Sequence, residues 1–280
     1  MPHSCKLHDW SARHFCGALA NRSILLVGDS TMAEFASSLM SSLHGTDCKQ
    51  RAIYYALSDL LLPFQGHGYR ERGISWLKAV ELYEPDLVVI TTGAHQFENG
   101  TNFNVSHYNA TLQEVFDVSR DKLPGRVIWK TISSGGCGLN VLNASPDAGI
   151  NYDSEDTASV SSFFPEWNQS RSFSTLHDTE KGMLDRAKLV GLQYRHFPIM
   201  DRIARVQAAR AGIPILDASP LYRRVDAHIA SGIHNYIDCL HFCLNPDGPL
   251  SLLNVLLHHV LLSLPDRHSS TGSTDVTRVQ

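Results

Sequence analysis

No apolar stretch in the 280 residues reaches the roughly 18 needed to cross a bilayer as a helix. The longest candidate, residues 250–264, is interrupted by Asn254, His258 and His259. An excess of positive charge is missing too: 24 Lys and Arg stand against 28 Asp and Glu, and no basic cluster appears. Without a basic field there is nothing to hold a phosphate backbone, so a nucleic-acid binder is excluded. There is no internal repeat, and no second CxxC or HxxxH pair completes a metal site. The first residues, Met1-Pro-His-Ser-Cys5, contain neither a basic n-region nor an apolar h-region, so no signal peptide is legible.

What is present is a core-forming composition. The chain is 43% hydrophobic and 19% charged, with long segments rich in Leu, Ile, Val and aromatics. That rules out disorder for its bulk, and the length suits one large domain or two small ones. The expected organisation is an N-terminal strap over residues 1–22, one domain over 23–265, and a disordered Ser/Thr-rich tail over 266–280.

Short continuous apolar runs mark strands buried on both faces: Ser23-Ile-Leu-Leu-Val-Gly28, Asp86-Leu-Val-Val-Ile-Thr-Thr92 and Arg126-Val-Ile-Trp-Lys-Thr-Ile132. Residues 52–57 and 213–217 read as two more. Helical spacing appears over residues 32–43, 74–83, 108–118, 198–211 and 250–264, with Gly212 ending the fourth. Residues 133–176, rich in Ser, Gly, Asn and Asp, read as a long loop excursion. Strands alternating with helices imply a parallel sheet covered on both faces, an α/β fold whose ligands bind at the carboxyl ends of the strands.

Gly28-Asp29-Ser30-Thr31 stands at such an end, between the first strand and its helix. A Ser there can attack a carbonyl, and its own N–H, at a helix N-terminus, can help hold the resulting oxyanion. The same tetrapeptide also serves as an ordinary Asp/Ser helix cap. Asp238-Cys239-Leu240-His241, read as one turn just before the last helix, supplies the missing base. Asp238 would accept the Nδ1–H of His241, leaving Nε2 free to take the hydroxyl proton of Ser30. A serine hydroxyl is a poor nucleophile without such a base.

Six cysteines, Cys5, Cys16, Cys48, Cys137, Cys239 and Cys243, are enough for three disulfides. Cys239-X-His241-X-Cys243 also resembles a zinc cluster, but ligands at that spacing would strain one tetrahedral centre, so disulfides locking this loop are expected instead. Sequons occur at Asn21, Asn99, Asn104, Asn109, Asn143 and Asn168, against roughly two expected by chance. They point to a chain that meets the glycosylation machinery in the secretory lumen, Golgi or extracellular, its leader or anchor absent here. A cytosolic protein with unused sequons is the competing reading. His258 and His259 are expected to be structural, and Trp76 and Trp129 to be core.

An early Gly-Asp-Ser and a late Asp-X-X-His resemble the SGNH, or GDSL-type, esterase superfamily. Leu26-Val-Gly-Asp-Ser-Thr-Met32 and Asp238-Cys-Leu-His-Phe-Cys-Leu244 are similar to its PC-esterase branch, which holds trichome-birefringence-like polysaccharide O-acetyltransferases and sialate O-acetyltransferase luminal domains. Thr91-Thr-Gly-Ala-His95 and Asp226-Ala-His228 agree with it. The resemblance implies a three-layer α/β/α sandwich with a central, mainly parallel, flavodoxin-like sheet. It implies Ser30 as nucleophile, His241 as base and Asp238 as its orienting partner, with no cofactor and no metal. Where the superfamily often has an Asn oxyanion donor, this chain has His95 after Gly93; both join Ser30 as oxyanion candidates. Gly66, Gly68 and Gly73 compete for the superfamily's second-block glycine. Asp29 and Trp167 are assigned to substrate contact. The expected partners are a polysaccharide or glycan acceptor and an acyl donor. A lipid or small-ester hydrolase and a non-catalytic glycan-binding module are the alternatives on the same fold.

Overall fold

The computed structural model describes residues 10–20, 22–46, 48, 53–58, 74–92, 105–132, 197–223, 228–231, 236–242, 244 and 248–264. In chain order these form α1 (Ala12–Leu19), β1 (Ile24–Gly28), α2 (Ser30–Ser42), β2 (Ile53–Leu57), α3 (Trp76–Tyr83), β3 (Leu87–Ile90) and α4 (Val105–Lys122). There follow β4 (Val127–Lys130), α5 (Phe197–Ala211), β5 (Ile215–Leu216), a 3₁₀ turn (Ser219–Arg223), β6 (His228–Ser231), β7 (Tyr236–Phe242) and α6 (Leu250–Ser263).

β1 to β5 make one sheet in the order β2-β1-β3-β4-β5, and every pairing is parallel. The apolar runs explain this: β1, β3 and β4 are buried along their whole length, which requires cover on both faces. Winding runs one way from β1 to β2 and the other way from β2 through β5. With right-handed crossovers, α2 must then lie on one face and α3, α4 and α5 on the other. The packing agrees. Leu25, Val27, Val88, Ile90, Val127 and Trp129 face a core shared with α3, α4 and α5. Ile24, Leu26, Leu87, Val89 and Ile128 face a second core with Met32, Phe35 and Leu39 of α2.

One helix cannot cover that second face, and the remainder is closed by α1 and α6. Leu250, Leu253, Leu257 and Leu261 of α6, at spacings of three and four, are buried there beside Phe15 and Leu19 of α1. His258 is inside this seam, edge-on to Trp10 with ring centroids 6.3 Å apart, which fits its expected structural role. Trp76 and Trp129 are core residues, as their spacing suggests. Three layers around a parallel sheet of five strands are as expected from the sequence.

Three features differ from the sequence reading. The N-terminal strap contains a helix, α1, capped by the Ser11 side chain and closed by Ala20 at φ 50°. With eight residues and only Phe15 and Leu19 buried, it is too short to show a period. A two-stranded antiparallel sheet, β6 with β7, occupies the segment before α6 that was read as a turn. β5 is two residues rather than five; Pro214, which cannot donate to a ladder, immediately precedes this edge strand. Cys16, midway along α1, and Cys48 beyond α2 are joined as a disulfide, Cα to Cα 5.5 Å. Cys5, Cys137 and Cys243 lie outside the described residues, as do the side chain of Cys239 and residues 266–280.

Candidate active site

In the order β2-β1-β3 the winding direction reverses at β1, and the crevice beside its carboxyl end is where a doubly wound sheet binds ligands. Ser30 is the first residue of α2, two positions past the end of the apolar run. The turn that delivers it is tight because Gly28 has no side chain. A Cβ there would lie 2.6 Å from Thr91 Cγ2, 2.8 Å from Met32 Cβ and 3.3 Å from Thr91 O. The end of β3 and the first turn of α2 thus close on Gly28 to a distance that only glycine allows.

Asp29 is the N-cap of α2. Its Oδ1 accepts from the Thr31 N–H at 2.9 Å and from the Thr31 hydroxyl at 2.7 Å. Asp29, assigned to substrate contact from its place in the motif, is buried, with 3% of its surface exposed, and holds the helix start together. Its carbonyl accepts from Met32 N and Ala33 N, both at 3.1 Å. The Tyr55 hydroxyl of β2 donates to the same carbonyl at 3.2 Å. Of the first N–H groups of α2, that of Ser30 has no acceptor among the described residues. It stands at the positive end of the helix, just past the carboxyl end of β1.

His241 arrives from β7. Ile229 pairs with Asp238 but His228 pairs with Phe242, so Cys239, Leu240 and His241 lie opposite a single step of β6. Such a bulge re-aims side chains. It replaces the turn expected from the sequence: in a regular strand, residues three apart face opposite sides. The outcome is a direct contact. His241 Nε2 is 2.7 Å from Ser30 Oγ, across 211 residues of chain, and both side chains are part-exposed. Asp238 lies on β7 immediately before the bulge, its side chain outside the described residues.

Three groups beside this pair were not read from the sequence. Glu34, one turn along α2 from Ser30, accepts at Oε2 from the Phe242 N–H at 3.3 Å. Lys130, the last residue of β4, is completely buried and donates to Thr131 O at 3.2 Å. Its burial lowers its pKa from 10.5 to about 8, against the opposing fields of Asp29, Asp201 and Glu34. Asp201 of α5 accepts from Ile132 N at 2.7 Å, pinning the chain just past β4. The available signal was Lys130 itself, a charge inside an otherwise apolar strand.

Thr91 and Thr92 bring β3 to the same edge and are buried. Gly93, His95 and Trp167 lie outside the described residues, as do Gly66, Gly68 and Gly73. So do Asn21, Asn99, Asn104, Asn143 and Asn168. Asn109 is half-buried in α4 and accepts from Gln207 Nε2 of α5 at 2.5 Å, so a glycan there would disturb a helix–helix hydrogen bond. No group of three or more His, Cys, Asp or Glu among the described residues forms a metal site. No helix among them is long and apolar enough to cross a membrane.

No family model matches the chain, and no curated protein matches its sequence. Solved structures do resemble it. One is an acetyl xylan esterase, AlAXEase, at 14% identity and a TM-score of 0.46, over 85% of this chain and 99% of that one. Another is a lipase/acylhydrolase from Enterococcus faecalis, at 17% identity and 0.43, over 85% and 94%. A GDSL-like lipase from Bacteroides thetaiotaomicron follows at 10% and 0.42, over 89% and 95%.

Proposed function

We propose that the protein is a serine-dependent acyl hydrolase or acyltransferase of the SGNH kind, handling O-acetyl esters of a carbohydrate in the secretory lumen or outside the cell. The observation that carries this reading is the 2.7 Å contact between His241 Nε2 and Ser30 Oγ at the carboxyl edge of the sheet. An imidazole nitrogen at that distance can take the hydroxyl proton as the oxygen attacks. Asp238 is the residue proposed to hold the ring's other nitrogen protonated.

In the first half-reaction, Ser30 Oγ bonds to the ester carbonyl carbon while its proton passes to His241 Nε2. The oxyanion that forms is held by the Ser30 N–H at the N-terminus of α2, with Gly93 or His95 as proposed second donors. The tetrahedral species collapses as the ester C–O bond breaks, and His241 protonates the departing alcohol. In the second half-reaction, His241 removes a proton from water or a sugar hydroxyl, which attacks the acyl-Ser30 carbonyl and releases Ser30. No metal or cofactor is needed. The carbohydrate preference is supported by the polar composition of residues 133–176, with Trp167 as a proposed stacking platform, and the luminal location by the sequons.

The test uses the glycosylated, secreted protein on acetylated oligosaccharide, p-nitrophenyl acetate and p-nitrophenyl palmitate. Acetate release that disappears in Ser30→Ala supports the reading. Faster palmitate cleavage would move the substrate to lipid. Retained glycan binding by both proteins without turnover would make it a binding module.

A further inference from the structure

Ser30 and His241 are carried by elements that chain order does not bring together: the helix after β1, and the strand before α6. A 2.7 Å contact between them persists only if the two carriers are fixed to each other. On the N-terminal side of His241, the bulge over residues 239–241 leaves the β6–β7 ladder out of regular register. On its C-terminal side, the next residue is held twice. The Phe242 side chain is completely buried in the second core, and its N–H donates to Glu34 Oε2 at 3.3 Å. Glu34 is four residues beyond Ser30 on α2, so it lies one turn along the same side of that helix. Lys130, at the end of β4, is close enough to Glu34 to interact with it electrostatically.

We propose that Glu34 is a positioning residue, whose carboxylate ties the Phe242 amide to α2 and thereby holds His241 Nε2 at Ser30 Oγ. This rests on the reading of Ser30 as nucleophile and His241 as base. A hydrogen bond to an ionised acceptor is roughly twice as strong as a neutral one, which suits a tether beside a bulge. Losing it lets the bulged segment relax and lengthens the proton-transfer distance without touching the substrate. The effect therefore falls on kcat and on the reactivity of Ser30, and leaves KM unchanged.

The readout is the rate at which a fluorophosphonate labels the protein. In that step a bond forms between Ser30 Oγ and phosphorus, the phosphorus–fluorine bond breaks, and the serine proton passes to His241. Wild type, Ser30→Ala, Glu34→Ala, Glu34→Gln and Glu34→Asp are compared, with kcat and KM on p-nitrophenyl acetate and circular dichroism beside them. Wild type is expected to label and Ser30→Ala not to. Glu34→Ala is expected to label about tenfold to hundredfold more slowly, the scale on which a misplaced group slows a reaction. Glu34→Gln, which keeps an oxygen for the Phe242 amide, recovers most of the rate, whereas the shorter Glu34→Asp stays slow. Wild-type labelling in Glu34→Ala or in Glu34→Asp overturns the proposal, and Glu34→Asp decides it if the alanine variant does not fold. Equal losses in the Ala and Gln variants, or a loss confined to KM, also overturn it. Unchanged labelling in Ser30→Ala would instead remove the nucleophile reading, and the tether with it.

Discussion

Replacing Gly28 by Ala tests how closely the fold is built around Ser30, the proposed nucleophile. The backbone at Gly28 is not in the left-handed region, so strain in φ is not the issue. The added methyl meets matter on two sides: Thr91 Cγ2 at 2.6 Å and Thr91 O at 3.3 Å from β3's end, and Met32 Cβ at 2.8 Å from α2. Carbon atoms rest at about 3.5–4.0 Å, so two of these contacts are roughly 1 Å too short. Two of the three atoms are a backbone oxygen and a Cβ, which yield only if β3 or α2 itself moves. Overpacking of this kind costs about 1–3 kcal/mol, and the two-sided clash puts Gly28→Ala at about 2–3. Relief requires the end of β1 to move by a fraction of an ångström, taking Ser30 with it. A misplacement near 1 Å costs on the order of 10²-fold in rate, so kcat should fall about tenfold to hundredfold. Urea unfolding and p-nitrophenyl acetate hydrolysis read the two effects. Adding Thr91→Ser removes Cγ2 and should restore part of the stability, but not all, since the Met32 contact remains. A Gly28→Ala protein within about 0.5 kcal/mol of wild type and fully active would refute the reasoning.

Burial lowers the Lys130 pKa from 10.5 to about 8 despite the fields of Asp29, Asp201 and Glu34. Between those values the unfolded chain holds this proton more tightly, so the destabilisation is complete below pH 8 and is relieved as pH rises toward 10.5. The difference between wild-type and Lys130→Met urea stabilities should show that rise, on the order of 3 kcal/mol, and a flat difference would contradict it. Tyr55→Phe removes the hydroxyl that braces the Asp29 carbonyl; a loss of about 0.5–1.5 kcal/mol and a several-fold lower kcat are expected from unfolding and kinetics. Cys16→Ser opens a crosslink with a sequence separation of 32, worth roughly 3–4 kcal/mol by loop entropy. Its melting temperature under non-reducing conditions should fall accordingly, and an unchanged melt would mean that packing of α1 alone holds the N-terminus.

The central sheet was legible because burial on both faces writes itself as unbroken apolar runs, as in Ile24–Gly28 and Leu87–Ile90. α6 was legible because its Leu residues repeat at helical spacing. β6 and β7 were not. The bulge shifts the side-chain parity of β7 between Asp238 and Phe242, so Tyr-Ile-Asp-Cys-Leu-His-Phe shows no clean alternation to read. α4 runs from Val105 to Lys122, beyond the expected 108–118: residues 119–122 are all polar, and at the other end the buried Val105 is a single apolar position ahead of two polar residues. At the site, the pairing of Ser30 with His241 was readable since strand, Gly-Asp-Ser and helix follow in sequence, and a late Asp-X-X-His offers an imidazole that the fold brings to Ser30 Oγ. Glu34, Tyr55 and Lys130 were not, because each matters only through a contact with another element. Asp29 was readable in both senses, as motif and as cap, and its hydrogen bonds to Thr31 make it the cap.

The most direct test of the account is to trap the acyl-enzyme. The protein is mixed with excess p-nitrophenyl acetate, quenched in acid during turnover before the acyl group is released, and mapped by peptide mass spectrometry. The account expects one acetyl group on Ser30, formed at a rate that matches turnover, much slower in His241→Ala and absent from Ser30→Ala. Undiminished turnover with Ser30 unmodified, or acetyl found only on other residues, would contradict it.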